Sequence, residues 1–470
     1  MNFGVADDRW YTDAPDDLIA RLVQRRANVN LIRTVLFSRV VGQARSACAA
    51  TRAFQETVRR LDEYPPGAIA TVMGTPWFDH WVYLADNVRR RYERGEEVLD
   101  RDLPSYGGFG PTGDRVVWML KDFGRFVLEL AILTGSALDG CVVAWDGEVP
   151  LGLWGLSFPV PSSGELPARV TVERGRIGLR LGTTSWDATA LHRGRTEDLR
   201  ETEGAICAPR LRLRNSEIHV SAMDPLARRE WIDVYVNPDG TRYLPPGDLV
   251  AFSAGYQAGL DLLHITWPRM ADDVATGLHA ILPVGRPGPE RGVSCSSDTF
   301  FRAILCCDNP PVLAAEVLVH EFGHNVFNEM LARDSVFAGG APPAEVLYSP
   351  WREDPRPVLG CFHSAFVFER VCQMYRLYLD ANAGDDGAFT RFRMLLGCLR
   401  VACGLIARAG GYGPVGARIL DGISRRAEHM ASSSRARLLP SEKEAIRQHF
   451  AGWSAQNPDL AERNAFVIPD

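Results

Sequence analysis

The sequence predicts an α+β protein: a helical N-terminal region over residues 1–139, a β-rich region over 140–248 and a mainly helical C-terminal region over 249–470. Three observations predict it. Helical periodicity dominates the text up to about Gly140, period-two alternation replaces it to about residue 248, and helical text then returns, carrying a His-Glu-x-x-His pattern at His320, Glu321 and His324. Helices, then strands, then helices is the order of an α+β chain, not of an alternating α/β one.

Taken in order, Asp16 to about Tyr64 reads as helix throughout, stopped by Pro65-Pro66. "WFDHWVYLADNVRRRYERG" and "DRVVWMLKDFGRFVLELAIL" continue the helical text. Arg89, Arg90 and Arg91 are followed by Glu93, Glu96 and Glu97, which marks a solvated helix face and not an anion site. "ARVTVERGRIGLRLG" alternates and turns at Arg174-Gly175, and "RLRLRNSEIHVSAM" turns near Asn215, so each reads as a hairpin. "WIDVYVNPDGTRYL" holds a third turn at Pro238-Asp239-Gly240. Helix resumes in "LVAFSAGYQAGLDLLHITWPRMADDVATGLH", and "AILPVG" and "TFFRAIL" read as buried strands. From Pro310 the chain is helical, interrupted by "GGAPPAE", "SPWREDPRP" and "GGYGPVG".

A chain of 470 residues, 46% apolar and 23% charged, can bury a large core. Its net charge of −6 argues against nucleic acid as a partner, which would favour a basic face. "FVLELAILTGSALDGCVVAW" carries Glu129 and Asp139 and breaks at Gly135, so it reads as a buried helix and strand, and no membrane span is expected. The opening "MNFGVADDRWYTDAPDD" is acidic and no signal peptide, so a cytoplasmic location is expected, with the ten cysteines as reduced, mostly buried thiols.

The chemistry-bearing text is "DNPPVLAAEVLVHEFGHNVFNEML". Asn309 is expected to cap this helix and Pro310 to open it. Leu313, Val317, His320, His324, Phe327 and Leu331 then share one inward face. Residues four apart lie one above the other, so both imidazoles reach a single ion with Glu321 beside them. This is the pattern of a zinc peptidase, in which Glu321 would activate water as the general base. A peptidase needs a third ligand in a set place, and the extensions fail. Phe327 and Met330 stand where a glycine and a histidine would be, and Glu329 lies on the same helix, turned away. The nearest remaining histidine is His363, on a helix that Pro357 can start, with Phe366, Val367 and Arg370 on its face. His192, His219, His429 and His449 lie in polar or distant text and read as surface residues. Three imidazoles suit zinc with a water, or ferrous iron with a chelating cosubstrate and dioxygen, and ligand type alone does not decide.

"LVHEFGHN", followed by "LYSPWREDPRPVLGCFHSAFVFERV", resembles the HExxH-motif peptide-modification family, the α-ketoglutarate-dependent HExxH-type peptide β-hydroxylases. The likeness is closest from Ser294 to Met374, and its most specific part is "SPWREDPRP" with Gly360 and His363; the chain looks like a stand-alone member. The resemblance implies Fe(II) on His320, His324 and His363, α-ketoglutarate as cosubstrate with dioxygen, and hydroxylation of an amino-acid β-carbon. It implies a partner that is a peptide or amino acid, presented as a ribosomal precursor peptide, on a carrier protein or free, in bacterial natural-product biosynthesis. The far carboxylate of the cosubstrate needs a cation, and arginine's fork matches it in two-point fashion. Arg352, Arg356 and Arg370 are the candidates. Glu321 then loses the water-activating role and is expected to orient a ligand or bind substrate.

Overall fold

The computed structural model describes residues 18–45, 48–99, 102–103, 114–145, 147–154, 156–161, 163–192, 210–221, 246–284, 294–296, 301–331, 335–433 and 436–469. It mixes helix and sheet with helix in excess, so the α+β character expected from the sequence holds. The contacts divide the chain into two interleaved units. Tyr256–Val274 and Pro310–Asp470 make up most of the first, and Ile19–Gly255 and Ala275–Asn309 form the second.

In the second unit, α1 (Leu18–Arg45), α2 (Ala49–Arg59), α3 (Pro66–Met73), α4 (Pro76–Glu93) and α5 (Arg115–Thr134) precede the strands. The long helix expected up to Tyr64 is broken. Cys48 is extended (φ −74, ψ 128), and a 3-10 turn at Arg60–Glu63 follows α2. Pro66 opens α3 where a stop was expected, because its missing N–H is no loss in a first turn. Phe54 meets Phe123 edge-on at 5.0 Å, and Phe78 meets Phe126 at 4.8 Å, so these helices share an aromatic core. Arg89 pairs with Asp86 and Glu93, Arg90 with Asp86, and Arg91 with Glu96 and Asp102; of the face expected to be solvated, Arg90 is exposed while Arg89 and Arg91 are half-buried.

Strands β1 (Leu138–Ala144), β2 (Glu148–Leu151), β3 (Leu156–Pro159), β4 (Gly164–Glu173), β5 (Arg176–Leu181) and β6 (Thr184–Asp187) come next, then the short α6 (Thr189–His192), β7 (Arg210–Arg212) and β8 (His219–Ser221). Strands β1, β4, β5 and β6 make an antiparallel sheet in the order β1-β4-β5-β6. Its β4–β5 hairpin turns where expected: Arg174 (φ 51) and Gly175 (φ 77) are both left-handed, as a two-residue turn between right-twisted strands requires. The β7–β8 hairpin turns through Asn215, also left-handed at φ 57. The third expected turn, at Pro238-Asp239-Gly240, lies outside the described residues.

Helices α7 (Pro246–Thr266) and α8 (Pro268–Gly277) lead to β9 (Ala280–Pro283), β10 (Ser294–Ser296) and β11 (Ala303–Cys306). These three strands join β7 and β8 in a mixed sheet in the order β10-β11-β9-β8-β7. Strands β9 and β11, the two apolar runs of the sequence, are parallel and wholly buried.

The first unit holds α9 (Pro311–Leu331), β12 (Val346–Leu347), β13 (Arg356–Pro357), α10 (Val358–Ala381), α11 (Asp386–Ala409), α12 (Pro414–Ser433), α13 (Pro440–Gln456) and α14 (Pro458–Ala461). Two local expectations need correction. Helix α9 starts at Pro311, one residue later than expected, and the Asn309 side chain donates to the Cys307 carbonyl. The face carrying His320 and His324 is also less buried than the rest of α9. Leu313 is 38% exposed, while Ala314, Ala315, Leu318, Val319, Phe322 and Val326 are buried. The ligand-bearing side of α9 is its partly exposed side, with Val317, His320 and His324 all half-buried.

Among the described residues nine cysteines are free. Six are buried as expected, but Cys141 is exposed and Cys48 and Cys295 are half-buried. No described helix is long and apolar enough to cross a membrane.

Candidate metal centre

Helices α9 and α10 bring the three histidines together. His320 and His324, one turn apart, place their Nε2 atoms 3.2 Å from each other, and His363 of α10 sets its Nε2 2.8 Å from His324 Nδ1. The close approach of the helices has a sequence cause inside the motif. At Gly323 a Cβ would lie 3.3 Å from Val367 Cγ2 and 3.5 Å from Arg370 Cδ, so the two helices are in close contact there and an alanine would need the Val367 side chain to give by a few tenths of an ångström. Aromatic rings frame the imidazoles. Phe327 lies 4.6 Å from the His363 ring and Phe368 meets His320 edge-on at 4.9 Å.

Burial lowers the basicity of all three: His320 and His324 fall to about 4, and His363 well below the ordinary imidazole range, where the neighbouring imidazoles add to the effect of burial. His320 nevertheless keeps 20% of its side-chain surface accessible. The rings are therefore largely surrounded by protein, with part of His320 still accessible. At neutral pH each offers a lone pair and no charge, the state a metal ligand needs.

Does this set fit an ion? Two nitrogens bonded to one ion at roughly 2.1 Å, with an angle near 100°, stand about 3.2 Å apart. The His320–His324 separation is that distance. His363 is gathered to the same place, but the His324 ring serves its two neighbours through different nitrogens. Among the described residues no group of three or more His, Cys, Asp or Glu side chains is laid out as a finished coordination set. One ion shared by all three therefore requires His324 to present a single nitrogen. The donor set, three neutral imidazoles with open positions, suits ferrous iron or zinc equally.

Glu321 is 2% exposed and turns towards the imidazoles, with one carboxylate oxygen 3.9 Å from His320 Nε2. Its other oxygen is buried and has no hydrogen-bond partner among the described residues. The three candidate arginines differ. Arg352 and Arg356 both pair with Asp354, at 3.0 and 2.9 Å, and Arg352 is mostly exposed. Arg370 is 1% exposed, lies against Gly323 between the ligand helices and stacks its guanidinium 3.4 Å from the Phe366 ring. Burial, together with Arg426, draws its pKa well down.

Sequence reasoning missed several neighbours of the centre. Glu316, one turn before His320, accepts from Tyr375 Oη at 2.6 Å and from Arg391 at 2.6 and 3.2 Å, tying α9, α10 and α11 together. Its i−4 spacing from His320 was the available signal. Trp351 stacks on Phe368 at 4.4 Å, and through it the "SPWREDPRP" loop reaches the His320 ring. Pairing of Leu347 with Arg356 closes that loop. His449, expected at the surface, is half-buried and bonds to Tyr348 Oη at 2.7 Å, while Asn464 accepts from the Tyr348 N–H. His219 is likewise half-buried, with its ring 5.6 Å from that of His279. His192 and His429 are exposed.

Compared with known proteins, the chain matches no family model and no curated protein.

Proposed function

We propose that the protein is a non-haem Fe(II)- and α-ketoglutarate-dependent dioxygenase. It hydroxylates the β-carbon of an amino-acid residue in a ribosomal peptide precursor or another natural-product intermediate. The observation that carries this reading is the gathering of His320, His324 and His363 from two helices held close at Gly323. The likeness of "SPWREDPRPVLGCFH" to the HExxH-type peptide β-hydroxylases supports the same reading.

His320, His324 and His363 would hold the iron, His324 through a single nitrogen. When bound, that group supplies an oxidant able to take hydrogen from an unactivated carbon, with succinate and carbon dioxide as co-products. The chain's own work is positioning and exclusion of water. Arg370 is the cation best placed for the far carboxylate of the keto acid, because it is buried between the ligand helices, whereas Arg352 and Arg356 already hold Asp354. Arginine's planar fork gives that carboxylate two parallel hydrogen bonds. Phe327 and Phe368 set apolar rings against the imidazoles, which limits the approach of water. We place the enzyme in the cytoplasm, which suits its free thiols.

One observation favours a second reading, a zinc metallopeptidase with Glu321 as general base: the carboxylate lies 3.9 Å from His320 Nε2 with an oxygen to spare. The two are separated by reaction. Oxygen-dependent succinate release with iron and α-ketoglutarate is the expected result. Peptide cleavage supported by zinc without oxygen, and no succinate, would replace the oxygenase by the hydrolase.

A further inference from the structure

A metal-binding imidazole is usually aimed by a hydrogen bond from its second ring nitrogen to a neighbouring oxygen. Among the described residues His320 has no such bond. Its polar and ring contacts there are the His324 imidazole, one carboxylate oxygen of Glu321 at 3.9 Å and the Phe368 ring, met edge-on at 4.9 Å with planes 70° apart. The torsion that spins an imidazole on its stem has a broad, soft minimum, so a ring without a lock turns its Nε2 away from any fixed point. For His320 the ring contact is what stands where the hydrogen bond would be.

Phe368 is itself only half-buried and needs support to act as a stop. Trp351 gives it that support. The indole lies flat on the phenyl ring, 4.4 Å between centroids with planes 15° apart. Behind it, Trp351 packs against the buried cluster of Cys398, Leu438 and Ile446. Its N–H is buried and has no hydrogen-bond partner among the described residues. An unpaired buried donor is unfavourable, so what the indole contributes at this place is the area of its ring, not its polar atom. A continuous row of packed side chains thus runs from the core under α11, through Trp351 and Phe368, to a candidate ligand.

We propose that Trp351 is a positioning residue of the metal centre: acting through Phe368, it holds the His320 ring in the orientation that points Nε2 at the ion shared with His324. The inference rests on the metal-binding part of the proposed function and is the same for iron and for zinc. It gives the "SPWREDPRP" loop a task separate from binding the keto acid. Two arginines of that loop are tied to Asp354, while its tryptophan aligns a ligand.

The test titrates Zn(II) into the metal-free full chain against a chromophoric chelator, and records the absorption of bound Co(II), which reports the arrangement of its ligands. Trp351→Leu keeps apolar bulk and removes the flat ring, whereas Trp351→Phe keeps a ring that stacks and removes the unpaired N–H. Trp351→Leu should weaken Zn(II) binding by about 10–100-fold, the range for loss of a ligand's outer partner, and change the Co(II) spectrum. Trp351→Phe should restore both. Phe368→Leu should weaken binding likewise, and adding Trp351→Leu to it should cost little more, because both act along one path. Urea unfolding of the metal-free variants separates a merely structural tryptophan, whose loss moves the midpoint and leaves the Co(II) spectrum native. Native Zn(II) affinity or a native Co(II) spectrum in Trp351→Leu overturns the inference and leaves the centre standing. So does a phenylalanine variant as weak as the leucine one, or losses that simply add in the double variant. Absence of Zn(II) and Co(II) binding by the native chain removes the centre and this inference together.

Discussion

His320 and His324 have pKa values near 4 because burial disfavours their charged forms. In the unfolded chain the same rings titrate near the ordinary imidazole value of roughly 6.5. The folded values lie below the unfolded ones, so the stability these groups contribute is complete above about 6.5 and is lost as pH falls towards 4. Between those limits the unfolded state binds more protons. The metal-free protein should therefore show a Tm that falls steadily from pH 6.5 to pH 4, and a pH-independent Tm across that window would contradict the burial of these rings. The loaded protein should release its ion over the same window, since a protonated imidazole cannot ligate.

The residue scale is also where the sequence was most legible. The i, i+4 spacing alone placed His320 and His324 on one side of one helix. His363 stood out as the nearest remaining histidine on a helical face and was made a ligand by the likeness of its surroundings, since its distance from His324 depends on how α9 and α10 pack. The pairing of Arg352 and Arg356 with Asp354 was visible as a possibility in "WREDPR", yet periodicity carries no information about which loop arginine turns inward.

At the scale of elements, the centre depends on the spacing of α9 and α10. Gly323→Ala should gain about 1 kcal/mol of helix propensity and lose about 1–3 kcal/mol by overpacking against Val367 and Arg370. Overall stability should thus change little, while metal affinity drops as the helices part. Unfolding in urea together with a metal titration checks both halves, and unchanged affinity would show that the glycine does not set the ligand spacing. Glu316→Ala removes the acceptor of Tyr375 Oη and the partner of Arg391. The buried hydroxyl left behind should cost about 1–3 kcal/mol, read from the urea midpoint at constant slope. Most helices and the β4–β5 and β7–β8 hairpins were readable from periodicity and turn chemistry. The break at Cys48 and the start of α9 at Pro311 were not, because helix ends depend on which backbone groups find partners.

Across the whole molecule, one unit gathers the four- and five-stranded sheets and the N-terminal helices, and the other carries His320, His324 and His363. Long-range aromatic contacts complete each unit and have no local signature. In the first, Tyr348 stacks on Phe466 with planes 6° apart and meets Trp453 at 5.4 Å, which fixes the stem of the "SPWREDPRP" loop to the chain's last hundred residues. Tyr348→Ala, which empties a fully buried aromatic site, should cost about 3–5 kcal/mol. It should also loosen Trp351 from Phe368, visible as a change in tryptophan fluorescence; an unaltered spectrum with full stability would remove this contact from the account.

The proposed function requires three imidazoles from two helices to hold one iron ion for keto-acid oxidation. Its most direct measurement is elemental analysis of the anaerobically purified chain and of His363→Ala, with succinate release assayed on the same samples. The account predicts about one iron per native chain with oxygen-dependent succinate. In His363→Ala it predicts metal affinity weakened by more than the roughly 10–100-fold that loss of a ligand's outer partner brings, with turnover lost. A variant that keeps both its iron and its turnover would contradict the three-histidine centre.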